Sequence, residues 1–141
     1  MLDVILVAEG ETAQVFNLAI GIDREYPMQT ALGLATPVPV VPTDKGPPAG
    51  ASAGWLFHLD APNLLLTRMW PAASGAHAVH ARLLECGLQG GQAEFRCVRK
   101  PKRAALVDSQ GATVLEPNIR DDACLLDIST GELVNLRVEF E

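Results

Sequence analysis

Basic residues are too few to balance the acids, and that shortage excludes the first large class of function. Eleven Lys and Arg stand against seventeen Asp and Glu, a formal charge of −6 at neutral pH. A protein that grips nucleic acid presents a net basic face, so no nucleic-acid partner is expected. Long apolar runs are missing too. No stretch approaches the roughly 20 residues of a membrane span, and none is expected in a membrane. Residues 1–8 are too short for a secretory leader and carry Asp3 where a basic region would stand, so the expected location is the cytoplasm. Cysteines number three, Cys86, Cys97 and Cys124, with no short paired spacing. A disulfide framework wants an even count and a zinc site wants close pairs; three buried free thiols, packing as small hydrophobes, are the expectation. Aromatics are only 5% of a chain that is 48% apolar, so Val, Leu, Ile and Ala must fill the core. Helical periodicity is also scarce, since no segment longer than about ten residues keeps an apolar period of 3.6.

What the chain does have is period-two alternation, the pattern of half-buried strands. Its centre is residues 63–87, NLLLTRMWPAASGAHAVHARLLECG. There Leu64, Leu66 and Arg68 alternate with Leu65, Thr67 and Met69. Val79, Ala81 and Leu83 alternate with His80, Arg82 and Leu84. Pro71, Ser74 and Gly75 supply turn chemistry between the two runs. The stretch predicts a hairpin, or two strands in facing sheets.

The same pattern places strands over 12–22, where Phe16, Leu18, Ile20 and Ile22 share a face, and over 55–59, from Trp55 to Leu59. Others follow over 93–97, 104–107, 113–115, 124–128 and 134–140, and 118–122 reads as a polar turn. The apolar run 2–8 could pair with 12–22, and Val38, Val40 and Val41 could form an edge strand. Residues 28–34 read as extended and irregular, because Gly33, Pro37 and Pro39 interrupt a helix. Many short strands with turns every 8–12 residues predict an all-β antiparallel sandwich. Its divisions are N-terminal strands over 1–42, a Pro/Gly-rich connection over 43–54, and the C-terminal sandwich over 55–141.

Candidate chemistry is thin. Gly50-Ala51-Ser52-Ala53-Gly54 matches the hydrolase elbow G-x-S-x-G, but the elbow needs a strand before it and a helix after it, and a Pro/Gly-rich loop and a strand stand there instead. His77 and His80 are three apart, which on a strand sends them to opposite faces. With His58 the only other histidine, no metal site is expected. The acid pairs Asp121-Asp122, Glu9 with Glu11 and Asp23 with Glu25 lie in predicted turns. Glu85 differs, ending an apolar strand, and a cross-strand arginine such as Arg68 or Arg96 would be its ordinary partner. Arg96, Arg99, Lys100, Lys102 and Arg103 put five of the eleven basic residues into eight positions, a solvated connection or a docking patch for an acidic neighbour. No catalytic residue is assigned.

Taken in order, Asn63-Leu64-Leu65-Leu66-Thr67, Pro71, Arg82-Leu83-Leu84-Glu85, the strand to Cys97, the segment 104–108 and the closing run 132–140 resemble the C-terminal β region of family-38 glycoside hydrolases, the α-mannosidases. The strand over 16–21 and the segment 27–37 are similar to the part just upstream in that family. Trp70 stands where the family has Lys before Pro71, and Cys86 stands where Thr is expected. The resemblance implies a β-sandwich and a retaining, zinc-dependent parent enzyme. Its Asp nucleophile and zinc ligands belong to an N-terminal α/β domain, so this chain needs no cofactor or metal of its own. The implied role is non-catalytic packing on that catalytic domain. Arg82, Glu85 and Trp70 are candidates to border the sugar, with Arg82 and Glu85 first a structural ion pair. Two alternatives stand beside it. One is a free-standing carbohydrate-binding module using Trp70 and Trp55, and the other is a structural interaction domain marked by an exposed apolar patch.

Overall fold

The computed structural model describes residues 9–10, 12, 15–16, 18–36, 40, 42, 54–73 and 77–141. Nine strands lie among them: β1 (Phe57–Leu59), β2 (Leu64–Pro71), β3 (Ala78–Glu85), β4 (Gly91–Cys97), β5 (Arg103–Val107), β6 (Thr113–Leu115), β7 (Ile119–Arg120), β8 (Ala123–Ile128) and β9 (Leu133–Glu139). They form two antiparallel sheets, one of four strands in the order β1-β4-β8-β7 and one of five in the order β2-β3-β9-β5-β6. The fold is an all-β sandwich, as the alternation predicts.

Alternation decides which side chains meet between the sheets. Ala93, Phe95 and Cys97 of β4 and Cys124, Leu126 and Ile128 of β8 face Ala81 and Leu83 of β3 and Val134, Leu136 and Val138 of β9. Phe95 is the one aromatic buried completely, and half-buried Phe57 stacks on it with ring centroids 5.5 Å apart. The rest of the buried core is small aliphatic, as the low aromatic content requires, together with the buried thiols Cys97 and Cys124. Contact with Cys124 and burial hold the Cys97 thiol well above its ordinary range. Cys86 departs from the expectation of three buried thiols: it is half-buried and free, and its Sγ donates to Asn63 O at 3.3 Å.

Within 63–87 the hairpin reading holds. β2 and β3 pair from Leu64↔Glu85 to Pro71↔Val79. The pairing is not regular, however. A bulge between Leu66 and Arg68 leaves Thr67 unpaired, and Thr67 Oγ1 donates to Arg82 O at 3.1 Å. A regular strand would keep Leu64, Leu66, Arg68 and Trp70 on one face. One extra residue reverses the facing of everything beyond it. Arg68 therefore lies opposite Arg82, and Trp70 opposite His80, on the outer face, while Met69 comes to lie opposite buried Ala81.

Two expectations upstream fail. None of the described residues of 12–22 is in a strand, and Phe16, Leu18, Ile20 and Ile22 are all exposed, Ile20 at 92%. A strand needs a neighbour for its backbone groups as well as an alternating sequence. Residues 28–34, expected as extended and irregular, lie within helix α1 (Pro27–Ala35). Pro27 is in the first turn, where its fixed φ and missing N–H cost nothing. Gly33 costs only about 1 kcal/mol in a helix, and Pro37 falls beyond the final turn, closed by Thr36 N donating to Leu32 O at 2.9 Å. The strand reading of 2–8, Val38 and Val41 of the edge-strand reading, the connection 43–53 and the turn at Ser74-Gly75 lie outside the described residues; Val40, between those two valines, is exposed and in no strand.

Candidate functional site

Glu85 ends β3 facing the interior and is only 2% exposed. Its Oε1 accepts from Gly87 N at 2.8 Å, Gln89 N at 3.3 Å and Asn63 Nδ2 at 3.2 Å, and its Oε2 accepts from Gly131 N at 2.8 Å. One carboxylate thus ties three turns together: β1–β2 through Asn63, β3–β4 through Gly87 and Gln89, and β8–β9 through Gly131. Donation from Gly131, Asn63, Gln89 and Gly87 outweighs the opposing effect of burial and holds the carboxyl at about 2. Every partner is an N–H of the chain itself, so this carboxylate is a structural anchor.

The expected partners of Glu85 are therefore wrong. Arg82, three positions back, faces the other side of the sheet, where its Nε donates to Asn135 Oδ1 at 2.8 Å. No Arg82–Glu85 ion pair exists among the described residues, because an odd separation on a strand sends the two side chains to opposite faces. Arg68 is likewise on the outer face. Arg96 pairs with Asp122 at 2.9 Å.

The outer face of the five-stranded sheet gathers the remaining candidates. The Trp70 and His80 rings stack, with centroids 5.1 Å apart and planes within 6° of parallel. Arg68 Cζ lies 5.0 Å and Arg82 Cζ 5.6 Å from the indole centroid, within cation–π range. Burial, and then the charge of Arg137, push the His80 imidazole below its ordinary value. Next to this cluster lies a depression of about 240 Å³, bounded by Trp70, His80, Arg82, Asn135 and the 108–111 turn. Asp108 shapes that turn, its Oδ1 accepting from Gln110 N at 2.8 Å and Ala112 N at 2.9 Å. The sequence marked Trp70 and Arg82 but missed His80 as their neighbour and Asn135 as their support; only the bulge and the β3–β9 register bring these together.

Other sequence candidates are dispersed. His58 and His77 are exposed and apart from His80, and no three His, Cys, Asp or Glu among the described residues could hold a metal ion. In the basic run, Arg103 pairs with Glu116, while Arg99, Lys100 and Lys102 are exposed. Gly50–Ala53 of the elbow match lie outside the described residues. On the outer face of the four-stranded sheet, Asp60, Gln92, Glu94, Asn118, Arg120 and Asp127 surround an open depression of about 450 Å³. No aromatic residue lines it, and Arg120 is already paired with Glu94.

Fold and surface together define a β-sandwich domain with a structural carboxylate at one end and an aromatic–arginine cluster on one face. No family model, curated protein or solved structure matches the chain. No helix among the described residues is long and apolar enough to cross a membrane.

Proposed function

We propose that the chain is the C-terminal β-sandwich portion of an α-mannosidase-type glycoside hydrolase, whose part is to pack against a catalytic domain and not to catalyse. The observation that carries this reading is the Asn63–Glu85 contact. The two residues come from separate motifs of the resemblance, 22 positions apart, and meet through a side-chain hydrogen bond that fixes the turns at one end of the sandwich. Motifs that are far apart in sequence yet cooperate in one structural device are what a shared fold would produce.

Exposed apolar surface supports the docking role. Leu66 and Met69 lie opposite buried Leu83 and Ala81, on the interior side of edge strand β2, yet they are 39% and 36% exposed. Val15, Leu18, Ile20 and Ile22 add further exposed apolar side chains. Uncovered apolar surface of this kind suits a domain completed by a neighbour. The zinc implied by the resemblance would then belong to that neighbour, with the Asp nucleophile. The test is an assay of this chain alone on an aryl α-mannoside with added zinc. Turnover at the buffer rate is expected, and turnover well above it would sink the proposal.

One observation favours the carbohydrate-binding module as a second reading. Burial of both indoles would remove its means of stacking on sugar, and neither is buried: Trp55 is 50% exposed and Trp70 is half-buried. Retention of the isolated chain on immobilised mannan, abolished by Trp70→Ala, would favour the module over the docking domain.

A further inference from the structure

The outer face of the five-stranded sheet carries more positive charge than its own residues neutralise. Arg68 and Arg82 are direct cross-strand neighbours, an arrangement of like charges that is repulsive by itself. Arg137 stands on the next strand, opposite His80. Three guanidinium groups thus occupy neighbouring positions on β2, β3 and β9 of a chain with a net charge of −6. Among the described residues only Arg137 of the three has a carboxylate partner, Glu139 at 2.9 Å.

Donors dominate as well. Arg82 spends its Nε on Asn135, and its two Nη groups have no partner among the described residues. Arg137 Nε, a donor, and His80 Nδ1, which donates or accepts according to the imidazole tautomer, are buried and lack any hydrogen-bond partner, a condition that normally calls for one. Asp108 is the one carboxylate lining the depression, and its Oδ1 is already engaged by two backbone N–H groups.

We propose that the depression between the Trp70–His80 stack, Arg82 and the 108–111 turn binds the oxyanion group, a carboxylate, sulfate or phosphate, of a small ligand. Guanidinium forks match such groups in a bidentate manner. The indole holds Arg68 and Arg82 by cation–π contact, so less rotamer freedom is lost when the anion arrives. A volume of about 240 Å³, below the roughly 300 Å³ at which drug-sized pockets begin, suits a free anion or a single acidic sugar. This site needs no catalytic domain and is independent of the function proposed above.

The test uses Trp70 as its own reporter, after Trp55→Phe removes the other of the two indoles. The full chain is titrated with sodium sulfate, D-glucuronate and D-glucose, each against sodium chloride at matched ionic strength. A saturable change in emission with sulfate or glucuronate, and none with glucose, is expected. Tighter binding of glucuronate assigns the oxyanion to a sugar, and equal or tighter binding of sulfate assigns it to a free anion. Arg82→Gln should weaken binding about tenfold or more, the loss of one charge-assisted hydrogen bond. Arg68→Gln alters an exposed side chain with no hydrogen bond among the described residues; it should weaken binding severalfold with an unchanged melting temperature. An equal response to glucose, no response beyond chloride, or undiminished anion binding in both arginine variants overturns the proposal.

Discussion

Replacing Gly87 by alanine is a sharp probe of the turn-anchoring carboxylate, because it disturbs the anchor while leaving the Glu85 side chain itself in place. A Cβ at position 87 would stand 2.5 Å from Asn63 Cβ, 3.2 Å from Glu85 Oε1 and 3.4 Å from Asn63 Cα. Carbon atoms in contact prefer about 3.5–4.0 Å, so the β1–β2 turn or the β3–β4 turn has to move by about an ångström. Neither is free to do so. Asn63 O accepts from Cys86 N at 2.9 Å, and Asn63 Nδ2 and Gly87 N both donate to Glu85 Oε1. Overpacking of a tight site costs about 1–3 kcal/mol. A part-buried backbone donor left without its acceptor adds about 1–3 kcal/mol. The expected loss is therefore about 2–6 kcal/mol, a large part of the whole stability of a small domain.

The control is Gly111→Ala. Gly111 has φ of +86° and nothing within 4 Å of the added Cβ, so that variant carries left-handed strain of about 1–2 kcal/mol and no clash. Urea unfolding followed by circular dichroism gives both values on one scale. If Gly87→Ala proves no more destabilising than Gly111→Ala, the packed-turn account of the Glu85 anchor is wrong.

Further expectations follow from the core, the anchor and the thiols. Glu85 has a folded carboxyl held near 2 against an ordinary 4.5, so its stabilising effect is full above pH 4.5 and is lost as pH falls toward 2. Glu85→Gln should flatten that part of the stability–pH curve, leaving the smaller acid-side slope of Asp122, which Arg96 holds low. Phe95→Ala removes the largest fully buried side chain and should cost about 3–5 kcal/mol in urea unfolding, with Phe57→Ala costing less. A thiol reagent should label half-buried Cys86 before buried Cys97 and Cys124, all three becoming equivalent in denaturant; mass spectrometry of the labelled peptides reads the order.

How much of this was legible depended on whether a local pattern was also a complete one. Ala93, Phe95 and Cys97, like Val134, Leu136 and Val138, alternate without interruption and sit between two paired strands, so the sequence alone places them in the core. Residues 12–22 alternate just as well, yet the described ones are exposed coil, because no alternation records whether a partner strand exists. Gly33 and Pro37 hide helix α1 in the sequence, although the first is merely unfavourable in a helix and the second falls past its end. Glu85 stands out in the sequence as an acid at the end of an apolar strand. Three of its partners are backbone N–H groups, of Gly87, Gln89 and Gly131, which leave no trace in residue type; the fourth, the Asn63 side chain, is brought to it only by the β2–β3 pairing.

The bulge at Thr67 joins fold to site. Without it, Arg68 and Trp70 would follow Leu64 toward the interior, where the buried carboxylate of Glu85 is already engaged by four N–H groups and an unpaired guanidinium charge is strongly unfavourable. With it, the same two residues stand on the outer face, opposite Arg82 and His80. Leu64 and Leu66 still face inward ahead of the bulge, and Met69 faces inward beyond it. The inserted residue is held in place by its own hydroxyl, which donates to the carbonyl of Arg82, a member of the cluster that it creates. Bulges recur where a side chain must be re-aimed without breaking a sheet. Here the re-aimed side chains are those that give the outer face its indole and its first guanidinium, so the irregularity in β2 is the structural origin of the proposed anion site.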